Sequence, residues 1–172
     1  MGLKQGLDII IDAARILYDE NIIFVMAGFG AALDSLKEKS VGMKNVVWLP
    51  LQPYEKLNEF LNVADIHLLP QSAGAADLVM PSKLTGMLSS GKSIIATANQ
   101  GTELYRVLDG IAVVSRPDDP KLFAKAILKL ASDASLRDKY GRAGRAYAVK
   151  HLNIDAVMHR FESDLKKLVG FK

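Results

Sequence analysis

Apolar positions along the chain alternate between a helical spacing and short unbroken runs, and the alternation is nearly regular. Leu7, Ile10, Ile11, Ala14 and Leu17 share one helical face, so the chain opens in an amphipathic helix. Ile22 to Met26 is a continuously apolar run, expected as a strand, and Gly28-Phe-Gly30 follows it. A helix is expected over about Ala32 to Lys39, then a strand over Val46 to Leu49 whose exit is bracketed by Pro50 and Pro53. Tyr54 to Val63 reads as a helix, and Asp65 to Leu69 as a strand stopped by Pro70. Beyond the polar loop Gln71 to Met80, Pro81 and Ser82 open a helix through Leu88, and Gly91 ends it. Ser93 to Thr97 is the next strand, Thr102 to Leu108 a helix and Ile111 to Val114 a last short strand. Three helices complete the chain. Their apolar faces are Leu122, Phe123, Ala126, Ile127 and Leu130; Leu136, Tyr140, Ala143 and Tyr147; and Ile154, Val157, Phe161, Leu165 and Leu168.

Unbroken apolar strands are covered on both faces, and helical crossovers make them parallel. The expected fold is therefore α/β, one Rossmann-like doubly wound parallel sheet followed by C-terminal helices. No internal repeat or low-complexity linker divides it, so residues 1–172 read as one domain. A doubly wound domain normally begins with a strand, whereas this chain begins with a helix. The expectation is a fragment of a longer polypeptide, lacking its first strand.

Composition narrows the chemistry. With 172 residues, 49% hydrophobic and 24% charged, the chain can bury a substantial core. It holds no cysteine, and His67, His151 and His159 have no metal-ligand spacing, so neither thiolate chemistry nor a metal site is expected. A cytoplasmic location fits the absence of cysteine and of a signal-peptide pattern. A net charge of +3 suits an anionic ligand or an acidic membrane surface but is too small to indicate nucleic acid.

Residues 86–93, Gly-Met-Leu-Ser-Ser-Gly-Lys-Ser, match the P-loop pattern. A P-loop needs a strand entering the glycine turn and a helix leaving it. Here the expected order is helix, turn, strand, which puts Lys92 at the end of the sheet opposite to ligand sites in parallel α/β folds. The same segment offers a different site. The loop Gln71 to Asp77 lies at the carboxyl end of its strand, and the amides near Ser82, Lys83 and Leu84 follow it at a helix start. A helix N-terminus favours an anion by roughly 0.3–1 kcal/mol, and Lys83 adds a full charge. The bland alternative is a surface loop with a routine proline start.

Gly28 and Gly30 occupy a strand-to-helix turn where a backbone could approach a phosphate, or where glycine merely permits the turn. Leu33 replaces the third glycine of the dinucleotide fingerprint, and Trp48-Leu-Pro50 supplies no carboxylate for a ribose, so no nicotinamide or flavin cofactor is expected. Thr102 and Glu103 begin another helix on this edge, Thr102 as a cap or a ligand contact. Lys4 precedes the first helix there. His67 reads as a hydrogen-bonded core residue rather than a catalytic base, Asp65 as structural, and Arg137, Lys139, Arg142, Arg145 and Lys150 mostly as a solvated face, with a membrane or partner surface as the second reading.

Several segments together resemble a family: Lys-Gln-Gly-Leu-Asp (4–8), Phe-Val-Met-Ala-Gly-Phe-Gly (24–30), Val-Ala-Asp-Ile (63–66), Pro-Ser-Lys-Leu (81–84) and Ser-Gly-Lys-Ser-Ile-Ile-Ala-Thr (90–97). In this order, with the tail Leu136 to Arg145, they resemble the C-terminal half of a GT-B-fold glycosyltransferase of family 4. Those are the retaining enzymes of bacterial surface polysaccharides of the colanic acid and O-antigen type. The resemblance covers essentially the whole chain. It implies a domain that binds a nucleotide-diphosphate sugar, UDP- or GDP-linked. Base and ribose would lie against Gly28 to Gly30 and Leu49 to Gln52, Leu51 among them. The diphosphate would lie against Pro81, Ser82, Lys83, Leu84 and Thr85, assisted by Lys4. No metal or other cofactor is implied, because cationic side chains and helix-end amides would stabilise the developing charge. An N-terminal domain of the same polypeptide would form the opposing wall, and a lipid-linked acceptor would place the enzyme at the periphery of the inner membrane.

The sequence departs from that family in two respects, and the first is that Gln5 stands where a lysine usually precedes the first-helix glycine, shifted by one from Lys4. Second, a glutamate pair spaced E-x7-E is usual there, and counting back from Gly91 its positions fall on Leu78 and Gly86, with Asp77 beside the first. A lost charge-assisted ribose contact costs roughly 1.5–3 kcal/mol. Asp77, as a candidate catalytic carboxylate, or Glu103, as a ribose or sugar contact, could compensate. The alternative reading is a non-catalytic Rossmann-type nucleotide-binding or assembly module.

Overall fold

The computed structural model describes residues 1–2, 5–75 and 80–170. Helices and parallel strands alternate through its first two thirds. Helix α1 (Asp8–Ile16) leads to strand β1 (Phe24–Ala27), α2 (Leu33–Lys39) and β2 (Val46–Leu49). A 3-10 turn (Tyr54–Lys56) precedes α3 (Leu57–Val63), followed by β3 (Ile66–Leu69), α4 (Lys83–Ser89) and β4 (Ser93–Thr97). Helix α5 (Glu103–Leu108) and β5 (Val113–Ser115) lead into α6 (Pro120–Ser132), α7 (Ala134–His151) and α8 (Ile154–Leu168).

The α/β class and the parallel pairing are as expected, but the strands do not form one sheet. β1 pairs with β2, Phe24 opposite Val46, and a separate sheet runs β3-β4-β5, Ile66 opposite Ser93 and Ile95 opposite Val113. Element ends move where turn chemistry outweighs apolarity. Ile22 and Ile23 precede β1, and Ile111 and Ala112 belong to the turn before β5. Pro81 and Ser82 stand just outside α4 rather than within it.

One core lies between α1, α6 and the strands. Ile10, Ala14, Phe24, Met26, Phe123 and Ile127 are buried in it, with Ile66 and Leu68 packed against them. At about 25 cal/mol per Å², burying one such side chain contributes roughly 1.5–3 kcal/mol. A second core joins Leu84 and Leu88 of α4 to Ile94 and Ala96 of β4 and Ala148 of α7. Asp119, Asp133 and Asn153 accept hydrogen bonds from Leu122, Leu136 and Asp155 N–H, which caps α6, α7 and α8.

Helix α7 fits under the turn between α4 and β4. A Cβ on Gly141 would collide with the Gly91 carbonyl oxygen, and one on Gly144 would press Leu88 Cδ2 at 3.0 Å. The Arg145 guanidinium donates to Ser89 O, and Arg137 donates to Leu130 O and Ala131 O at 2.6 and 2.8 Å. Both arginines tie α7 to the ends of neighbouring helices; Arg145 remains exposed, as expected of the basic series, whereas Arg137 is half-buried. Arg142 keeps to that expectation, pairing with Asp138 at the surface.

Candidate functional site

The carboxyl ends of β1, β3 and β4 open on one edge, and Met1, Gln5 and Gly6, ahead of α1, lie along it. Met1 lies against the turn after β1: its ammonium donates to Phe29 O, and Ala32 N–H donates to Met1 O at 3.2 Å. Gly28 and Gly30 have φ of +121° and +140°, which side chains rarely adopt, so the turn itself requires both. A Cβ on Gly30 would strike the Met1 backbone, whereas one on Gly28 would meet nothing within 4 Å. Open space beside Gly28 is what close approach of a ligand needs.

Five residues further on, Gly6 packs against the loop after β3. Its φ is +60°, and a Cβ there would lie 2.8 Å from Ser72 N. This contact ties the entry to α1 to the Gln71–Ser72 loop. Gln5 completes the junction, its Oε1 accepting from Gly2 N–H at 3.3 Å and from Lys83 Nζ at 3.4 Å. Lys83, at the first turn of α4, is thereby brought beside the α1 entry from 78 residues away in sequence.

Thr97, at the end of β4, fixes the third strand end. Its side chain is fully buried; Oγ1 accepts from Gln71 N–H at 2.7 Å and donates to Gln71 O at 2.8 Å. Gln71, Ser72, Thr97, Asn99 and Glu103 then line a shallow recess. Thr102 caps α5, accepting from Tyr105 N–H at 3.3 Å and donating to Asn99 O at 2.7 Å. Glu103 is exposed at the recess and pairs with Arg106 at 3.2 Å.

The residues expected from sequence divide accordingly. Gly28, Gly30, Pro81, Ser82, Lys83 and Glu103 stand on this edge, and Thr85 is exposed in the first turn of α4. Leu51 follows β2 and is 63% exposed. Leu84 does not serve as expected: its side chain is buried in the second core and its N–H donates to Pro81 O at 3.0 Å. Only Ser82 and Lys83 keep amides that precede the first helical hydrogen bond. Lys4 and Asp77 lie outside the described residues, as does Leu78. Gln71 opens the loop expected at the site, whereas Gln5, Gly6 and Thr97 are not among the expected site residues. A glycine between polar residues and a helix start was the available signal for Gly6, while Thr97 looks like any buried strand residue.

The P-loop pattern is excluded. Its residues run α4, turn, β4, so Lys92 stands at the amino end of β4, across the sheet from the recess. Ser90 Oγ accepts from Lys92 N–H at 3.2 Å, and α7 packs against the turn, where an anion would have to sit. His67 lies at this end too, buried, with Nε2 3.1 Å from Ser90 Oγ. Ser90 gives its own proton to Met87 O at 2.7 Å, so Nε2 is the donor in that contact. Burial, aided by the charge of Lys92, lowers the His67 pKa to about 4. It is a neutral core histidine, as expected. Among the described residues, no group of three His, Asp or Glu side chains could hold a metal ion.

The parallel α/β domain thus gathers two glycine turns, a helix start and a lysine at its strand ends on one edge. The family model described as glycosyl transferases group 1 matches residues 1–147, and the chain belongs to that family. It is 36% identical to the putative colanic acid biosynthesis glycosyl transferase WcaI of Escherichia coli, covering 96% of this chain and 41% of WcaI. The probable glycosyltransferase WbjE of Pseudomonas aeruginosa is 28% identical over 74% of this chain and 33% of its own. The chain thus spans about two fifths or less of the length of these relatives. Among solved structures, the C-terminal domain of the group 1 glycosyl transferase LpcC from Francisella tularensis superposes with a TM-score of 0.74 at 18% identity. That match covers 90% of this chain and 83% of the LpcC domain. Anabaena HepE, solved in complex with UDP-glucose, gives a TM-score of 0.80 at 13% identity, over 97% of this chain and 46% of HepE.

Proposed function

We propose that this chain is the wall of a glycosyltransferase cleft that holds a nucleotide-diphosphate sugar, and that UDP is the nucleotide. The observation that carries the reading is the meeting of Gln5, Gly6, Ser72 and Lys83 over the strand ends, three segments distant in sequence brought to one edge. The diphosphate lies across this junction, with Lys83 Nζ and the Ser82 and Lys83 amides offsetting its charge. Lys4, one residue before Gln5, is a further candidate for the same phosphates. The open turn at Gly28 and Gly30, with Leu51, receives the base and ribose, and Glu103 meets the ribose or sugar. Asp77 is the candidate for a carboxylate facing the transferred sugar. UDP is favoured over GDP because HepE, which shares the fold, was solved with UDP-glucose and with UDP.

The name of WcaI, a putative colanic acid biosynthesis glycosyl transferase, supports surface-polysaccharide assembly as the pathway, and the family resemblance implies a retaining transfer to a lipid-linked acceptor at the membrane surface. In this reading the acceptor wall comes from an N-terminal domain of the same polypeptide, and these 172 residues bind donor but transfer nothing unaided. No helix among the described residues is long and apolar enough to cross a membrane.

Titration calorimetry of the 172-residue chain with UDP, GDP and UDP-glucose tests the site. Millimolar or tighter binding of UDP, weakened roughly tenfold by Lys83→Ala, is expected; a charge-assisted contact of about 1.4 kcal/mol gives that factor. No heat with any of the three would overturn the reading.

A further inference from the structure

Gln5 bonds to Gly2 through its backbone and through its side chain. Its N–H donates to Gly2 O at 3.1 Å, and its Oε1 accepts from Gly2 N–H at 3.3 Å, so the side chain folds back over its own turn. The next residue, Gly6, is held at φ +60° with no room for a Cβ beside Ser72 N. Backbone and amide of Gln5 are thereby fixed relative to the loop after β3. Lys83 reaches this fixed point from α4, its Nζ donating to the same Oε1 at 3.4 Å. Gln5 is half-buried and Lys83 exposed, so the amide is the anchor and the long, flexible side chain is what it holds.

The neutrality of that anchor decides what the contact does. Lys39, Lys56, Lys166 and Lys167 each pair with a carboxylate, which offsets their charge. Among the described residues, Lys83 forms no such pair; an amide oxygen stands in its place. An amide oxygen accepts from the ammonium without cancelling it, so Lys83 is oriented and keeps its full charge. A lysine that is first immobilised by its ligand loses rotamer freedom at that moment. One already held loses less, and affinity rises accordingly.

We propose that Gln5 is a positioning residue for the donor diphosphate: resting on the reading of Lys83 as the cation of that diphosphate, Gln5 acts through Lys83, holding its ammonium in place without neutralising it. Gln5 then sets how strongly the site prefers a nucleoside diphosphate to the bare nucleoside, because base and ribose belong to the separate turn at Gly28 and Gly30. A glutamate at this position keeps the geometry and offsets the charge. A methionine keeps the charge and releases the geometry. The two changes separate electrostatics from orientation.

The test titrates the 172-residue chain with UDP and with uridine, read from the amide shifts of Gly28, Gly30 and Ser82. Gln5→Met, similar in length but without an oxygen acceptor, is expected to lower the ratio of UDP to uridine affinity by about threefold to tenfold. With Lys83→Ala already in place, Gln5→Met should lower that ratio no further, since the two residues act as one unit. Gln5→Glu should lower it by more than about tenfold, because a carboxylate both pairs with Lys83 and repels the phosphates. If the methionine variant does not fold, Gln5→Asn, one methylene shorter, repeats the cycle. A loss shared equally by UDP and uridine is what a merely structural role predicts, and it would overturn the proposal. Additive losses with Lys83→Ala, or an undiminished ratio in Gln5→Glu, would overturn it too while leaving the donor site standing. Absence of UDP binding by the parent chain would overturn the donor reading and the positioning role with it.

Discussion

Thr97 and Gln71 hold each other through a reciprocal pair of hydrogen bonds, the hydroxyl accepting from the Gln71 N–H and donating to its carbonyl. The pair sits where β4 ends and the loop after β3 begins, fully shielded on the Thr97 side. Thr97→Val keeps the shape and removes both bonds, stranding two backbone groups. A loss of roughly 2–4 kcal/mol in unfolding free energy is expected, at about 1–2 kcal/mol for each orphaned group. Urea denaturation reads it, and a change below about 0.5 kcal/mol would mean that the loop re-pairs its backbone elsewhere.

Gly6 tests the junction rather than the core. An alanine there must hold φ near +60° with its Cβ 2.8 Å from Ser72 N, so the α1 entry must pull away from the loop. Gly6→Ala is expected to weaken UDP binding by tenfold or more while circular dichroism stays unchanged. Full affinity in a folded variant would remove the α1 entry from the proposed diphosphate site.

Much of this was legible in the sequence, for reasons that can be localised. The unbroken run Ser93 to Thr97 becomes a strand buried along its whole length, whereas Val25 of β1 and Val47 and Leu49 of β2 stay exposed, and Pro-Ser before Lys83 does mark a helix start. The pattern also shows the direction of the false P-loop, because Pro81-Ser82 starts a helix ahead of Gly91 and the apolar run Ser93 to Thr97 follows it as a strand. What was not legible depends on tertiary packing. Leu84 looks available at a helix start, but its side chain belongs to the core. Arg137 looks solvated but is half-buried against the end of α6, and only the packing of α7 shows the carbonyls that it and the exposed Arg145 serve. Thr97 bonds a residue 26 positions away, a separation at which no local pattern acts. Helix α8 shows the converse: its periodicity is plain, yet Phe161 and Leu165 of its apolar face remain exposed.

Gly141 and Gly91 supply a test of the end opposite to the recess. Gly141→Ala places a methyl against a backbone carbonyl that cannot swing aside, so α7 must shift from the α4–β4 turn. Overpacking of this kind costs about 1–3 kcal/mol and more where backbone must move. The upper part of that range is expected, read as a lowered melting temperature. Lys92→Ala, at the same turn, should leave UDP binding unaltered. A loss of nucleotide binding in that variant would return the P-loop reading to life.

His67 gives stability a pH dependence whose sign follows from its lowered pKa. In the unfolded chain it binds a proton near pH 6.5; in the fold, not until about pH 4. Between these values the unfolded state carries more protons, so acid favours unfolding. The contribution is whole above about pH 6.5 and is lost as pH falls toward 4. A separation of about 2.5 units corresponds to roughly 3 kcal/mol, of which most is gone by pH 4.5. His67→Gln can still donate to Ser90 Oγ but cannot titrate. Urea midpoints measured from pH 7.5 to 4.5 should therefore fall more steeply for the parent chain than for this variant. Parallel slopes would show that the imidazole is hydrated in the fold and that its burial between β3 and α4 is incomplete.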